Sequence, residues 1–184
     1  MCIKVLKNNS SHNICNILTV FLWLITICFI IGSFIVSDID AKLLTADKIV
    51  VKKSKRIMTL FNRGRILKEY KIALGKQPVG KKMFAGDKRT PEGSYIIDSR
   101  KADSKYYLAL HISYPNHVDL ENSEKLGLNP GGDIMIHGLP NGYEDVEEFH
   151  RITDWTDGCI AVTNREMEEI WQLVPDGTPI DIIP

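Results

Sequence analysis

The chain has 184 residues, and its 23 Lys and Arg residues balance its 23 Asp and Glu residues, so the formal net charge is zero. This length leaves room for one domain of ordinary size and a targeting segment. Because no long basic or acidic run occurs, nothing in the sequence indicates nucleic acid as a partner.

An uncharged apolar segment extends from Ile17 to Val36. About 20 such residues, at 1.5 Å per residue, cross a hydrocarbon core of roughly 30 Å. The apolar region of a cleaved signal peptide is shorter, at about 7–15 residues, and is followed by a small-residue cleavage site. We therefore predict an uncleaved transmembrane signal anchor at 17–36, with signal cleavage as the alternative.

Charges on either side of this segment predict its orientation. Lys4 and Lys7 precede it, whereas Asp38 and Asp40 follow it. The positive-inside tendency leaves the N-terminus in the cytoplasm. The predicted organisation is a cytoplasmic N-terminus at 1–16, the anchor at 17–36, a tether at 37–46, and a domain at 47–184 on the periplasmic side of the cytoplasmic membrane.

The part of the chain after the tether has the pattern of a β-protein. Short apolar or β-branched runs alternate with turn residues such as Asn62-Arg63-Gly64. We predict a mainly β domain, a mixed-sheet barrel or sandwich with one helix. The predicted strands are 49–51, 57–61, 66–74, 93–97, 106–114, 133–137 and 179–183.

The one predicted helix covers about 164–174. Thr163 and Glu166 form a capping-box pattern, and apolar residues follow at helical spacing. Pro175 and Gly177 are typical of a helix end. We expect the apolar residues of this helix to pack in the core rather than to contact a cofactor.

Cysteine placement indicates a candidate nucleophile. Cys159 is the single cysteine downstream of the apolar segment, so the domain cannot form an internal disulfide. No Cys-x-x-Cys or His-x-x-x-His spacing occurs, and we predict neither a metal nor another cofactor. Cys159 follows Gly158, and His137-Gly138 lies upstream, which suits covalent cysteine catalysis.

Each of these two residues has a structural alternative. A cysteine taken at random is more often an inert buried side chain. A histidine at the end of a strand, such as His137, is more often structural than catalytic. Their combination with Gly158 favours catalysis, because the glycine lets the backbone approach a ligand and nearby amides could stabilise an oxyanion.

At these residues the chain resembles the L,D-transpeptidase (YkuD-like) catalytic domain. The signature of that family is a His-Gly pair and then Ser/Thr-x-Gly-Cys with an apolar residue, which here reads His137-Gly138 and Thr156–Ile160. A Thr-Pro-x-Gly-x-Tyr hairpin also matches, as do Asn164 and the strand entry at 177–180. The resemblance covers roughly 47–184.

The resemblance implies a role for each matching residue. Cys159 matches the nucleophile and His137 the general base, while Gly158, Thr156, Asp157 and Gly138 fall in the oxyanion and substrate pocket. Two positions depart from the family pattern: Asp157 replaces a common histidine and Ala161 a common arginine. A carboxylate at Asp157 would oppose thiolate formation, although it could orient the loop or attract a cationic substrate.

The implied activity is peptidoglycan cross-linking in cell-wall biogenesis, through a cysteine acyl-enzyme formed on stem tetrapeptides. The same cysteine could instead serve an L,D-carboxypeptidase, an endopeptidase or an amidase, because these reactions differ only in donor and acceptor. An alternative of another class is a wall-binding module without catalysis. The partners expected are peptidoglycan stem peptides and, through 17–36, the membrane.

Other residues are weaker candidates. His150, Asp154 and Trp155 either line a groove or are ordinary loop residues, and His111 fits a packing role. The segment before Thr90 is basic and is either a solvated face or a site for anionic substrates. Its charged residues are Lys76, Lys81, Lys82, Lys88 and Arg89.

Overall fold

The computed structural model describes residues 45–143, 146 and 150–184. In these ranges the chain forms a mainly β domain, as predicted. The strands are β1 (Lys48–Lys52), β2 (Ile57–Asn62), β3 (Arg65–Lys71), β4 (Gly93–Ser104), β5 (Tyr107–Ile112), β6 (Met135–His137), β7 (Ile160–Ala161) and β8 (Pro179–Ile183). The α-helices are α1 (His117–Lys125) and α2 (Asn164–Leu173).

The predicted membrane anchor at 17–36 lies outside the described residues. No helix in the described part of the chain has the length and apolar character needed to cross a membrane.

The eight strands form one curled mixed sheet in the order β3-β2-β1-β8-β4-β5-β6-β7. β1 pairs with β8, and β6 with β7, in parallel, whereas the other neighbours are antiparallel. Beyond β3, Ala73 exchanges backbone hydrogen bonds of 3.0 and 2.8 Å with Ala161 of β7. The two ends of the strand order therefore meet, and the sheet closes toward a half-barrel.

The turn between β2 and β3 follows the sequence prediction. Arg63 and Gly64 have φ values of 51° and 74°. Positive φ at both central residues is what a two-residue hairpin turn that matches strand twist requires. The chain reverses at this turn, so that Asn62 of β2 pairs with Arg65 of β3.

Helix α2 confirms the predicted capping box. The Thr163 side chain accepts a hydrogen bond from the Glu166 N–H, and the Glu166 carboxylate accepts one from the Thr163 N–H. Both orphan donors at the helix start are thereby satisfied. Met167 and Ile170 are completely buried in the core, as expected from their spacing.

The prediction of a single helix is wrong, because α1 is also present. Asn116 caps it and accepts a hydrogen bond from the Asp119 N–H. The residues that α1 buries are Asp119 and Ser123, whereas Val118 and Leu120 are exposed. Since α1 lacks an apolar stripe, the periodicity that revealed α2 has no counterpart in its sequence.

The core lies inside the curled sheet and beneath α2. Its fully buried members come from most of the strands, including strands of the parallel pairs β1–β8 and β6–β7. They include Ile49, Met58, Leu60, Ile97, Leu110, Ile112, Ile136 and Ile160. This packing makes β5, β6 and β7 a rigid base from which polar groups can be presented at the strand ends.

Candidate active site

Both residues assigned to catalysis from the sequence line the same cavity, which has a volume of about 420 Å³. His137 is the last residue of β6, and Cys159 directly precedes β7. The opposite wall comes from the hairpin end between β4 and β5. The remaining lining residues are Lys101, Asp103, Ser104, Lys105, Tyr106, Asp133 and Met135.

Strand register explains why the two side chains line one cavity. In the parallel β6–β7 pair, His137 is opposite Ala161. Cys159 is two residues before Ala161 and so shares its face of the sheet. With strands about 4.8 Å apart and a rise of about 3.3 Å per residue, the two Cα atoms are separated by roughly 8 Å. An imidazole and a thiol can span that gap.

A backbone carbonyl orients the His137 ring. Nδ1 lies 2.7 Å from the Gly138 oxygen. Because a carbonyl oxygen only accepts hydrogen bonds, Nδ1 carries the proton and Nε2 keeps its lone pair. The Tyr106 ring lies 4.5 Å from the imidazole centroid, and the Trp155 ring meets it edge-on at 5.7 Å. The histidine is 3% exposed and is held as a neutral base.

Burial sets the protonation of both groups. It lowers the pKa of His137 to about 4; the hydrogen bond to Gly138 acts in the opposite direction, and His150 lowers the pKa further. Burial also raises the pKa of the Cys159 thiol above its ordinary value; Asp133 and Asp157 add to this, and the Met135 N–H and Lys82 oppose it. The resting pair at neutral pH is therefore a thiol and a neutral imidazole.

Thr156 and Gly158 shape the loop that carries the thiol. The Thr156 hydroxyl donates to the Cys159 carbonyl at 2.8 Å and accepts from the Gly158 N–H at 3.1 Å. Gly158 has a φ of +133°, and a Cβ there would lie 2.8 Å from the Arg89 carbonyl oxygen. Only glycine satisfies both the backbone conformation and the close approach of Arg89.

Neither Asp157 nor Gly138 lines the cavity. The Asp157 side chain is 76% exposed, forms an ion pair with Lys76 at 3.1 Å, and is not among the residues that line the cavity. The Gly138 N–H donates to the Tyr106 carbonyl at 3.1 Å. Gly138 thus links the turn after His137 to the β4–β5 hairpin.

Comparison with known proteins places this arrangement in a family. The profile of the YkuD family, described as the L,D-transpeptidase catalytic domain, matches residues 46–182. The chain belongs to the YkuD family. YafK of Escherichia coli (strain K12), which carries the name of an L,D-transpeptidase, is 31% identical over 132 residues, covering 68% of this chain and 46% of YafK.

Two solved structures are similar to this chain in fold and sequence. The helical cell shape determining protein Pgp2 from Campylobacter jejuni is similar with a TM-score of 0.58 and 25% identity, over 74% of this chain and 47% of Pgp2. Bd1075 of Bdellovibrio bacteriovorus has a TM-score of 0.55 and 27% identity, over 76% of this chain and 48% of Bd1075. The chain spans about half the length of these relatives.

The sequence analysis missed several residues of this YkuD-family site. Tyr106 and Asp133 were predicted as the first residues of strands 106–114 and 133–137, but Tyr106 lies in the turn before β5 and Asp133 in the irregular segment before β6. No periodic pattern reveals which side chain faces a cavity in such segments. Lys53 is 2% exposed, and its Nζ donates to the carbonyls of Gly80 and Thr90 and to the carboxylate of Glu92, each at 2.8 Å. Lys53 thereby fixes the segment that packs against Gly158.

The loop between His137 and Cys159 contains three weaker candidates. Asp154 pairs with Arg56 at 2.7 Å and accepts from the Leu74 N–H at 2.9 Å, which gives it a structural role. Trp155 contacts His137. His150 lines a separate cavity of about 230 Å³, and neither of its ring nitrogens has a hydrogen-bond partner among the residues that the structure describes.

Most charges of the basic segment before Thr90 are paired. Lys81 pairs with Asp119 at 3.1 Å, and Lys82 is buried against Asp87 at 2.8 Å. Lys76 pairs with Asp157. These lysines therefore stabilise the segment beside the site and do not form an open anion site.

His111 also has a partner, since its Nδ1 lies 2.6 Å from Asp98. Among the described residues, no group of three His, Cys, Asp or Glu side chains is arranged to hold a metal ion.

Proposed function

We propose that this protein is a peptidoglycan L,D-transpeptidase that works through a thioester on Cys159. The observation that carries the proposal is the hydrogen bond from His137 Nδ1 to the Gly138 carbonyl, in the wall of the cavity that Cys159 also lines. It leaves Nε2 as a proton acceptor on a residue that lines the same cavity as Cys159, the one free cysteine of the described residues. Family membership supports the reaction class.

In the first half-reaction, Nε2 of His137 takes the Cys159 proton as Sγ attacks the carbonyl of the third residue in a stem tetrapeptide. Because the resting pair is neutral, proton transfer accompanies attack, and His137 acts as a general base. The Gly158 N–H already donates to Thr156. We therefore assign the oxyanion to the Cys159 N–H. The imidazolium then protonates the leaving amine, and the terminal D-alanine departs.

In the second half-reaction, an amine of another stem attacks the thioester and gives a cross-link. If water replaces the amine, the reaction is that of a carboxypeptidase. If Cys159 attacks an existing cross-link or amide bond in place of a tetrapeptide, the reaction is that of an endopeptidase or amidase. Pgp2 is described as a helical cell shape determining protein. We propose a role in cell-wall biogenesis and cell shape for this chain.

Mass spectrometry of the intact protein after incubation with stem tetrapeptide tests this function. We expect an acyl adduct on the wild-type chain and none on Cys159→Ala, with both proteins showing the same melting temperature. Cys159→Ser should also lose turnover, because a hydroxyl paired with this base is a poor nucleophile. Cross-linking by purified Cys159→Ala would contradict the assignment. No adduct on the wild type would favour a wall-binding module.

We also propose that residues 17–36 anchor the domain to the outer face of the cytoplasmic membrane. The support is the uncharged span with lysines before it and aspartates after it. The chain should remain with washed membranes and be digested by protease added to intact spheroplasts. Release of a shortened form by mild salt washing would indicate signal cleavage.

A further inference from the structure

Four charged side chains line the cavity that holds Cys159: Lys101, Asp103, Lys105 and Asp133. None of their charged groups has a hydrogen-bond or ion-pair partner among residues 45–143, 146 and 150–184. This contrasts with the paired lysines of the basic segment before Thr90. The charges of the cavity wall are therefore free for a ligand that carries charge of its own.

Asp133 is the member of this set whose backbone contacts the Cys159 thiol. Its carbonyl oxygen lies 3.6 Å from Cys159 Sγ. Its φ is +54°, a conformation that non-glycine residues rarely adopt and that aspartate and asparagine tolerate best. Ile134, the next residue, is buried, and its carbonyl accepts from the Ile112 N–H at 2.8 Å. The backbone thus holds Asp133 beside the reacting sulfur.

The position of the Asp133 carboxylate is unfavourable for the first half-reaction. The Asp133 carboxylate raises the pKa of the Cys159 thiol, and it does so more than Asp157 does. A negative charge beside a nucleophile that must become a thiolate is unfavourable for acylation. It is favourable in the second half-reaction, in which an amine that is cationic at neutral pH must reach the thioester.

We propose that Asp133 binds the ammonium group of the acceptor and thereby directs the acyl group to an amine in preference to water. The inference rests on the proposed transpeptidase function. Before attack, the ammonium held by Asp133 loses one proton to solvent. As the C–N bond forms and the C–S bond breaks, His137 takes a second proton from nitrogen and returns it to the departing Cys159 sulfur.

Asp157 offers a matched comparison. It also raises the pKa of the Cys159 thiol, yet its carboxylate is paired with Lys76 and it does not line the cavity. The acceptor role that its sequence position suggested therefore fits Asp133 better. Asp133→Asn and Asp157→Asn remove the same charge from two places near one thiol, and asparagine tolerates the backbone conformation of Asp133.

The experiment uses the full-length chain in detergent and its acyl-enzyme formed from stem tetrapeptide. Two acceptors are compared: Nα-acetyl-lysine amide, which carries one ammonium, and hydroxylamine, which is neutral at the same pH. Mass spectrometry measures the ratio of transferred to hydrolysed product. For Asp133→Asn we expect transfer to the lysine amide to fall about fivefold, the size of one exposed ion pair.

For Asp133→Asn and Asp157→Asn, transfer to hydroxylamine should stay within about twofold of wild type. Transfer to the lysine amide by Asp157→Asn should also stay within about twofold. A second measurement needs no variant: added potassium chloride should reduce wild-type transfer to the lysine amide but not to hydroxylamine, because salt screens an exposed pair. The absence of that salt effect overturns the inference.

Two further outcomes separate this inference from the function on which it rests. If the wild-type chain forms no acyl adduct, the proposed function fails and the inference fails with it. If the adduct forms but Asp133→Asn and wild type give the same ratio of lysine-amide transfer to hydrolysis, the inference alone is overturned. A wild-type acyl-enzyme that is only hydrolysed also overturns it, while acylation of Cys159 stands.

Discussion

Asn164 lies directly against Gly138, the residue whose carbonyl orients the His137 ring. The Asn164 Oδ1 accepts a hydrogen bond from the Leu139 N–H at 2.8 Å, and a Cβ at Gly138 would lie 2.5 Å from that same oxygen. The first residue of α2 therefore fixes the turn that follows β6. Through this contact, a residue of α2 helps to set the position of His137.

Replacing Gly138 with alanine should reduce activity strongly, because the new Cβ must displace Asn164 or the backbone that holds His137. We expect a loss of at least tenfold in kcat/KM, since small displacements in a catalytic pair cost about 10²-fold. Steady-state kinetics on stem tetrapeptide measures this. Gly132→Ala is the control, because a Cβ at Gly132 has open space around it. Equal activity of the two variants would contradict the orienting role of the turn.

Replacing His137 with alanine should lower kcat about 10²–10⁴-fold, the usual contribution of a general base. The wild-type enzyme should stay active as pH falls below the ordinary histidine range and lose activity only near its pKa of about 4, where Nε2 becomes protonated. The pH profile of kcat/KM measures this limb. A loss of less than about threefold in His137→Ala would remove the residue from the role of base.

Burial of His137 also predicts acid sensitivity of the fold. Its folded pKa of about 4 lies below the ordinary value of 6.5, so the unfolded chain binds the proton more readily between these values. Stability should therefore be fully present above pH 6.5 and decline as pH falls toward 4, by up to about 3 kcal/mol. Urea unfolding across this range measures the slope.

The variants His137→Gln and His117→Gln isolate this contribution. His117 is a surface residue with an 81% exposed side chain, so its removal should leave the slope unchanged. His137→Gln should flatten the slope, because the group that must be charged in the unfolded chain is gone. Parallel slopes in wild type and His137→Gln would show that other groups cause the acid sensitivity.

Asp157→Asn should make Cys159 alkylate faster near neutral pH. The carboxylate contributes to the raised pKa of the thiol, and asparagine keeps its shape while removing its charge. We expect a modest increase of about twofold, because the side chain is exposed and paired with Lys76, which screens it. Iodoacetamide rates measured against pH test this. An unchanged rate profile would mean that Asp157 has no electrostatic effect on the thiol.

The outcome for the two helices shows what a local pattern can reveal. Helix α2 was predicted at 164–174 and is present at Asn164–Leu173, because its cap and its apolar stripe both appear in consecutive residues. Helix α1 was missed because the residues that it buries are polar. β7 was missed because two residues are too short a run to show alternation.

For the candidate site, the sequence by itself determined the family and the candidate residues: the single cysteine after the apolar segment, which follows a glycine, and a histidine at a strand end. These features can be read from the sequence because they depend on residue type and local backbone conformation. Tertiary structure decided the surroundings. The parallel register of β6 and β7 brings His137 to the face of Cys159, and Asn164 fixes Gly138. Tyr106 lines the cavity from the β4–β5 turn and Asp133 from the irregular segment before β6. Such contacts follow from strand pairing and packing between segments far apart in the chain, which no local pattern records.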